Sequence, residues 1–274
     1  MSFNDLVKAQ ELISKLNSQR RYLLCFGGTT EGRLLCETEL DMIYSVVSEF
    51  GKDLIIPREH LIISQGIMLK DEIVKLLSSG VIYAVVDASH PFARSISPSI
   101  KEACEKTNIP LARFSRTSEQ LSFSPNSSLI YFSSLDELVA EFKRSYPDKR
   151  VFVSSGVKSL KALADYPSFD KMRIRIIPSE ESRKLAQDAG LREDQIISKT
   201  GPFSLEDNLR DFEGSELLIT KESGERGGFK EKIEAAQRLN MISLIISRPK
   251  DLDYTNSFTS VEEIIAWARA LKKD

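Results

Sequence analysis

Four short segments of the chain set glycines or a lone histidine beside hydroxyl and charged side chains, combinations that bind anions or move protons. The first is Gly27-Gly28-Thr29-Thr30-Glu31-Gly32-Arg33, between the apolar run YLLCF and a helical pattern. Glycines there let the backbone approach a ligand closely, and the amide N–H groups at a helix start, with two threonine hydroxyls, offer donors to a phosphate. A dinucleotide pyrophosphate would sit at such a turn. The spacing is not the strict GxGxxG, however, and a turn that needs glycine for geometry alone would look the same. The acidic residue that holds a cofactor ribose is expected about 20 residues later. Ser48 and Glu49 occupy that region, with Lys52 and Arg58 beyond. The carboxylate suits NADH whereas the serine and basic residues suit NADPH, so both cofactors stay open.

The second segment, Asp87-Ala88-Ser89-His90-Pro91-Phe92-Ala93-Arg94, ends the run VIYAVV. Open α/β sheets bind ligands at the carboxyl edge of their strands, which directs Asp87, Ser89 and His90 toward a ligand. A helix beginning here would want Ser89 as its cap and Pro91 at its first position, so those two are explained without one. His90 is not, and reads as a hydrogen-bond donor or proton source. The third segment, Thr220 through Lys232, is again a strand followed by glycines. Gly224, Gly227 and Gly228 fall among Lys221, Ser223, Arg226, Lys230 and Lys232, an anion pocket of backbone and side-chain donors, with a solvated charged turn as the bland alternative. The fourth, Lys199 through Asn208, holds a Gly201-Pro202 turn and then Ser204 with Asp207, a loose capping box in which Asp replaces Glu or Gln.

Each of these segments needs a strand end to hold it, and the chain supplies strands in alternation with helical patterns. YLLCF (22–26), MIYSVV (42–47), LIIS (61–64), VIYAVVDA (81–88) and PLARF (110–114) recur in the first half, with helical stretches at 69–77 and 92–105 between them. VFVSS (151–155), MRIRII (172–177), ELLIT (216–220) and ISLIIS (242–247) follow, then a final helix near 261–272. This alternation predicts an α/β fold with mostly parallel sheets, and the continuous apolar character of YAVV and LIIS predicts strands buried on both faces. RYLLCFGGTTEGRLL (21–35) and RVFVSSGVKSLKAL (150–163) share a plan of basic residue, strand, glycine turn and helix, aligning Gly28 with Gly156. Two units of similar design follow, placed at 21–145 and 146–274, behind a helical extension at 1–20.

Composition bounds the function classes. The 274 residues carry 38 Lys plus Arg against 40 Asp plus Glu, a net charge of −2, with 41% apolar and 28% charged side chains. That is enough apolar material for a real core, and neither the net charge nor any basic, aromatic-interleaved stretch suits nucleic-acid binding. No window approaches the roughly 18 to 20 apolar residues of a membrane span, and the first 21 residues lack the order of a secretory signal, so a soluble cytoplasmic protein is expected. Cys25, Cys36 and Cys104 show no paired spacing, and His60 and His90 lie far apart, which disfavours disulfides and a metal centre.

In combination, GGTTEGR, DASHPFA, SSGVKSL, TGPFSLEDN, KESGERGG and ISRP, in this order from residue 27 to 249, resemble the precorrin-6A reductase family of cobalamin biosynthesis, including its cobalt-precorrin-6A members. The resemblance implies two Rossmann-like domains with a cleft between them, in which NADPH or NADH reduces a modified tetrapyrrole. A strand exchanged between the domains is also implied. By position, Gly27, Gly28, Thr29, Thr30, Glu31 and Gly32 would hold the cofactor, with Asp87 and Ser89 beside them. His90 and Lys221 would be the proton donors. Arg94, Arg113, Arg116, Thr200, Gly201, Ser223, Gly224, Gly227, Gly228 and Lys232 would face the substrate, whose acetate and propionate carboxylates need local cations in a chain of slight negative charge. Lys158, Arg226 and Arg248 add to that supply. The implied protein is a monomer or weak homo-oligomer that takes a small-molecule tetrapyrrole, not nucleic acid or membrane. Two rivals stand beside this reading: a non-catalytic dinucleotide-binding redox sensor, and a reductase of another substrate on the same fold.

Overall fold

The structure is a computed structural model that describes residues 7–93, 95–115, 128–223, 227–249 and 252–272. In chain order its first half runs α1 (Val7–Lys15), β1 (Tyr22–Phe26), α2 (Thr30–Leu35), β2 (Met42–Val46), α3 (Glu49–Asp53), β3 (Leu61–Gln65), α4 (Lys70–Leu77), β4 (Ile82–Asp87), α5 (Ile96–Thr107) and β5 (Leu111–Phe114). There follow β6 (Leu129–Phe132), α6 (Leu135–Ser145), β7 (Val151–Val153), α7 (Leu160–Leu163), β8 (Met172–Ile176), α8 (Glu180–Asp188) and β9 (Ile196–Ser198). The remainder is α9 (Leu205–Phe212), β10 (Leu217–Lys221), α10 (Phe229–Arg238), β11 (Ile242–Ile246), β12 (Asn256–Phe258) and α11 (Val261–Lys272).

The strands form two six-stranded sheets, ordered β12-β5-β4-β1-β2-β3 and β6-β11-β10-β7-β8-β9, and all pairings are parallel. YLLCF and IYAVVD are buried at every position, the signature of central strands covered by helices on both faces. Numbered in chain order the first sheet reads 6-5-4-1-2-3, the doubly wound Rossmann arrangement, and the second has the same layout once β7 is counted as its first strand and β6, which precedes it in the chain, as its sixth. The sixth place is where chain order breaks. β6 follows β5 in sequence yet joins the second sheet, and β12 follows β11 yet pairs with β5 of the first.

The chain accordingly divides into one unit of Met1–Thr117 with Lys250–Asp274 and another of Ser118–Pro249. The boundary expected at 145/146 moves to 117/118, and 250–274 returns to the first unit. The exchange that the resemblance implied could not be located from residue patterns, because β12 is the polar, half-exposed triplet NSF, and β6 and β9 are nearly or equally short. The helix at the N-terminus is also no appendage, because Leu12, Ile13 and Leu16 join the cluster of Ile73, Leu76 and Leu77 on α4, and Lys8 Nζ donates to Gly66 O at 2.6 Å. On the opposite face of the same sheet, Leu35 of α2 packs with Ile264 and Ala268 of α11 around Tyr44 and Ala84. In the second unit Phe152, Phe212, Leu218 and Ala236 form the corresponding core.

Candidate functional site

Where strand order reverses in such a sheet, the connections leave in opposite directions and open a crevice at the strands' carboxyl ends. In the first unit that point lies between β1 and β4, so the glycine turn and the DASH segment are its two lips. Gly27 N–H donates to Ser45 O at 2.8 Å, and a Cβ at this position would lie 2.0 Å from Tyr44 Cζ, so only glycine passes. Gly28 has φ +128° with open space where a side chain would begin. Thr29 caps α2: its Oγ1 accepts from Gly32 N–H at 3.0 Å and donates to Ala88 O at 3.2 Å. Its only hydroxyl proton therefore binds one lip to the other and is not offered to a phosphate, contrary to expectation. The donors that remain at the turn are the backbone N–H groups opening α2 and the exposed Thr30 hydroxyl, whose Oγ1 accepts from Arg33 Nη2 at 3.3 Å. The Glu31 side chain lies outside the described atoms.

Asp87, the last residue of β4, has no exposure at all. Its Oδ1 meets Arg113 Nη1 at 2.8 Å and accepts from Ser89 N–H at 3.0 Å, and its Oδ2 accepts from the Tyr254 hydroxyl at 2.7 Å. Burial alone would raise this carboxyl, but the Arg113 guanidinium and hydrogen bonds from Ser89, Ser97 and Tyr254 outweigh it and hold it below its ordinary range. Arg113 is as buried as its partner, 3% exposed, with Nη1 also near Asp87 O and Ser89 Oγ. Both side chains, expected as contact residues, are buried against each other as a neutral internal pair that shapes the lip. Ser89 does not cap a helix either. It lies in this network, its Oγ 3.1 Å from Ser97 Oγ, and α5 starts at Ile96, later than the expected residue 92. His90 stands half-buried beyond the pair, its Nδ1 accepting from Phe92 N–H at 3.2 Å, which places the ring proton on Nε2. His60, by contrast, is tied to Thr38 O through Nε2 at 2.5 Å.

The second unit reverses between β7 and β10. Gly156, three residues past the end of β7, repeats the positive φ of Gly28 at +93°, again with nothing against its Cβ position. Lys221 closes β10; burial lowers its pKa, and the charge of Lys158 lowers it further. Ser223 Oγ donates to Gly227 O at 3.1 Å and accepts from Lys232 Nζ at 3.3 Å. Gly227 is required here, since a Cβ would stand 2.5 Å from that serine, and Gly228, with φ +64°, starts α10. Lys232 is itself buried, 7% exposed, with its pKa brought down to about 8 by burial and by Arg175, against Glu231. It supports Ser223 from within rather than presenting an ammonium to solvent.

Beside this lip lies the turn 199–204, where Thr200 and Gly201 are exposed. Its support was not foreseen. Arg175, buried on β8, bonds Asp211 Oδ2 at 2.9 Å and Asn208 Oδ1 at 2.8 Å and stands 3.6 Å over the Phe203 ring. Lys199 Nζ takes the other Asp211 oxygen at 2.6 Å, and Ser204 with Asp207 completes a true capping box. The signal available was the inward spacing of Asn208 and Asp211 on α9, polar residues at buried helical positions; Tyr254 and Ser97 left none. Arg94, Arg116, Gly224 and Arg226 lie outside the described residues. Among the described residues no helix is long and apolar enough to cross a membrane.

Residues 22–269 match the family model described as Precorrin-6x reductase CbiJ/CobK. The chain is 32% identical over 258 residues to the cobalt-precorrin-6A reductase of Methanocaldococcus jannaschii, covering 91% of this chain and 99% of that protein. It is 27% identical over 251 residues to the cobalt-precorrin-6A reductase of Priestia megaterium, covering 89% and 96%. Its fold is similar to a solved CobK precorrin-6A reductase, with a TM-score of 0.68 at 21% identity over 92% of this chain and 97% of the other. A match that starts on β1, ends on α11 and holds nearly whole relatives end to end leaves one conclusion, that the chain belongs to the precorrin-6x reductase family of oxidoreductases.

Proposed function

We propose that this chain reduces one double bond of the precorrin-6A macrocycle, in its cobalt-bearing form, with a nicotinamide dinucleotide held at the β1–β4 switch point. The observation that carries the reading is the turn Gly27-Gly28. One glycine is forced by Tyr44, and the other leaves an open, positively twisted backbone at the mouth of a Rossmann sheet, the cradle a pyrophosphate needs. The names of the two relatives above support the substrate and its metal state. A reduced nicotinamide, when bound, supplies the hydride.

Everything else falls to the chain's own groups. The N–H groups of the turn bind the dinucleotide, and the Asp87–Arg113 pair holds the facing lip in place. In the second unit Lys158, Lys221, Thr200 and the N–H groups at the start of α10 receive ring carboxylates, with Ser223 braced by Lys232. Saturating a carbon–carbon double bond takes a hydride on one carbon and a proton on the other. His90, with its Nε2–H, and Lys221, acidified by burial, are the donors we assign. The cytosol is the compartment that suits three free, buried thiols.

Anaerobic oxidation of the reduced cofactor, followed at the nicotinamide absorbance band with cobalt-precorrin-6A and with the metal-free ring, tests this directly. Turnover with the cobalt form is expected. Cofactor binding without turnover on either ring would favour the redox-sensor reading. Gly28→Asp should abolish dinucleotide binding while Gly28→Ala, equally strained but uncharged, only weakens it; unchanged titration curves would remove the pyrophosphate from this turn.

A further inference from the structure

Two buried cations lie close together under the carboxyl edge of the second sheet. Arg175 of β8 and Lys232 of α10 are both shut from solvent, and the charge of the first disfavours the ammonium of the second. Arg175 has its carboxylate in Asp211, whereas Lys232 among the described residues makes no ion pair and donates to a neutral acceptor, Ser223 Oγ, at 3.3 Å. At the same strand end Thr220 is fully buried with no protein partner for its Oγ1, and Glu231 Oε2 is covered without a hydrogen bond. A fold built for stability alone would set an apolar side chain at 232, because burying a charge without an opposite one is costly.

What Lys232 holds is a turn pinned at two points. Ser223 accepts from it and donates onward to Gly227 O at 3.1 Å, and an ammonium, which can only donate, fixes that direction. Arg175 holds the neighbouring turn in a similar manner. Its guanidinium lies 3.6 Å over the Phe203 ring, and that ring closes on Gly201, where a Cβ would stand 3.0 Å from Phe203 Cε2. The two turns meet at Gly228, whose Cβ position lies 3.7 Å from Phe203 O. Building on the tetrapyrrole reading above, we infer that Lys232 is a positioning residue for the macrocycle: through Ser223 it holds Gly227 and Gly228 in their receptive arrangement and, where Gly228 packs on Phe203, the Thr200–Gly201 turn with them. The chain thus trades stability for substrate affinity.

Anaerobic initial rates with cobalt-precorrin-6A and the reduced cofactor varied in turn, read beside urea midpoints, separate positioning from ordinary structural support. Lys232→Met keeps the aliphatic stem and removes the ammonium. It should raise the midpoint and yet raise the macrocycle KM at least about tenfold, the result when losing one charge-assisted hydrogen bond leaves the turn in place in about a tenth of the molecules. The cofactor KM should stay within about twofold and kcat within about threefold. Ser223→Ala, at a half-buried position, should raise the macrocycle KM likewise, and the double variant should exceed the larger single effect by less than about twofold, since both groups lie on one path. A macrocycle KM that does not move in either single variant, a midpoint that falls in Lys232→Met, or a KM that rises equally for both ligands would overturn the inference and leave the reduction standing. No turnover by the unsubstituted protein on either form of the ring would remove the tetrapyrrole reading and the inference together.

Discussion

Asp87 and Arg113 carry opposite charges buried from solvent, and each is tolerable only because of the other. Replacing Arg113 by Met strands the carboxylate, and loss of one partner of a buried pair costs about 3–5 kcal/mol. The pH dependence should invert as well. In the unsubstituted chain the Asp87 pKa is held down in the fold, so its contribution is present above about pH 4 and is lost as the pH falls through the folded value. In Arg113→Met burial raises it instead, so that stability should fall as the pH rises toward neutral. Urea midpoints at pH 4.5 and 7 check the sign. Lys232 makes the opposite case, a buried cation that among the described residues makes no ion pair, with only the charge of Glu231 acting against its burial. Between its folded value of about 8 and roughly 10.4 the unfolded chain binds more protons, so stability rises with pH in that window. Lys232→Met should remove that slope and stabilise the protein at pH 7 by about 3 kcal/mol, the worth of such a shift in a fully buried group. A midpoint unchanged between the two proteins at pH 7 would sink this account.

Most elements were legible because their burial pattern is written in side-chain type. YLLCF, IYAVV and ISLII read as covered strands, and the glycine turns after β1 and β10 were visible because such backbone needs glycine. The neutral pair at the DASH lip was not legible, since a sequence does not say that Arg113 and Tyr254 converge on Asp87. β12 was invisible for a related reason, because an edge strand of Asn, Ser and Phe pairs through its backbone and needs no apolar face. What fixes that strand is the helix after it. Ile264 and Ala268 of α11 are fully buried, and Trp267 lies 5.9 Å from Phe258, ring to ring. Ile264→Ala should cost about 2–5 kcal/mol, and the emission of Trp267, the chain's single tryptophan, should report the lowered midpoint.

Two sheets of one strand order, each completed by a strand from the other side of a crossover, give the molecule two units of unequal continuity. Ser118–Pro249 is uninterrupted, whereas the first unit is split by it. A chain ended at residue 249 would lack β12 and α11 and leave Tyr83, Ala84 and Phe114 without their cover. Limited proteolysis of that truncated chain should digest the first unit and leave a product containing 118–249, while equal resistance of both halves would contradict the division. The same split bears on birth order at the ribosome. The 274 − 117 = 157 residues made after the first crossover take roughly 8 to 30 s at ordinary elongation rates, and the first unit stays unfinished through that interval. The half that emerges first closes last, and until then one face of its sheet stands without its helical cover.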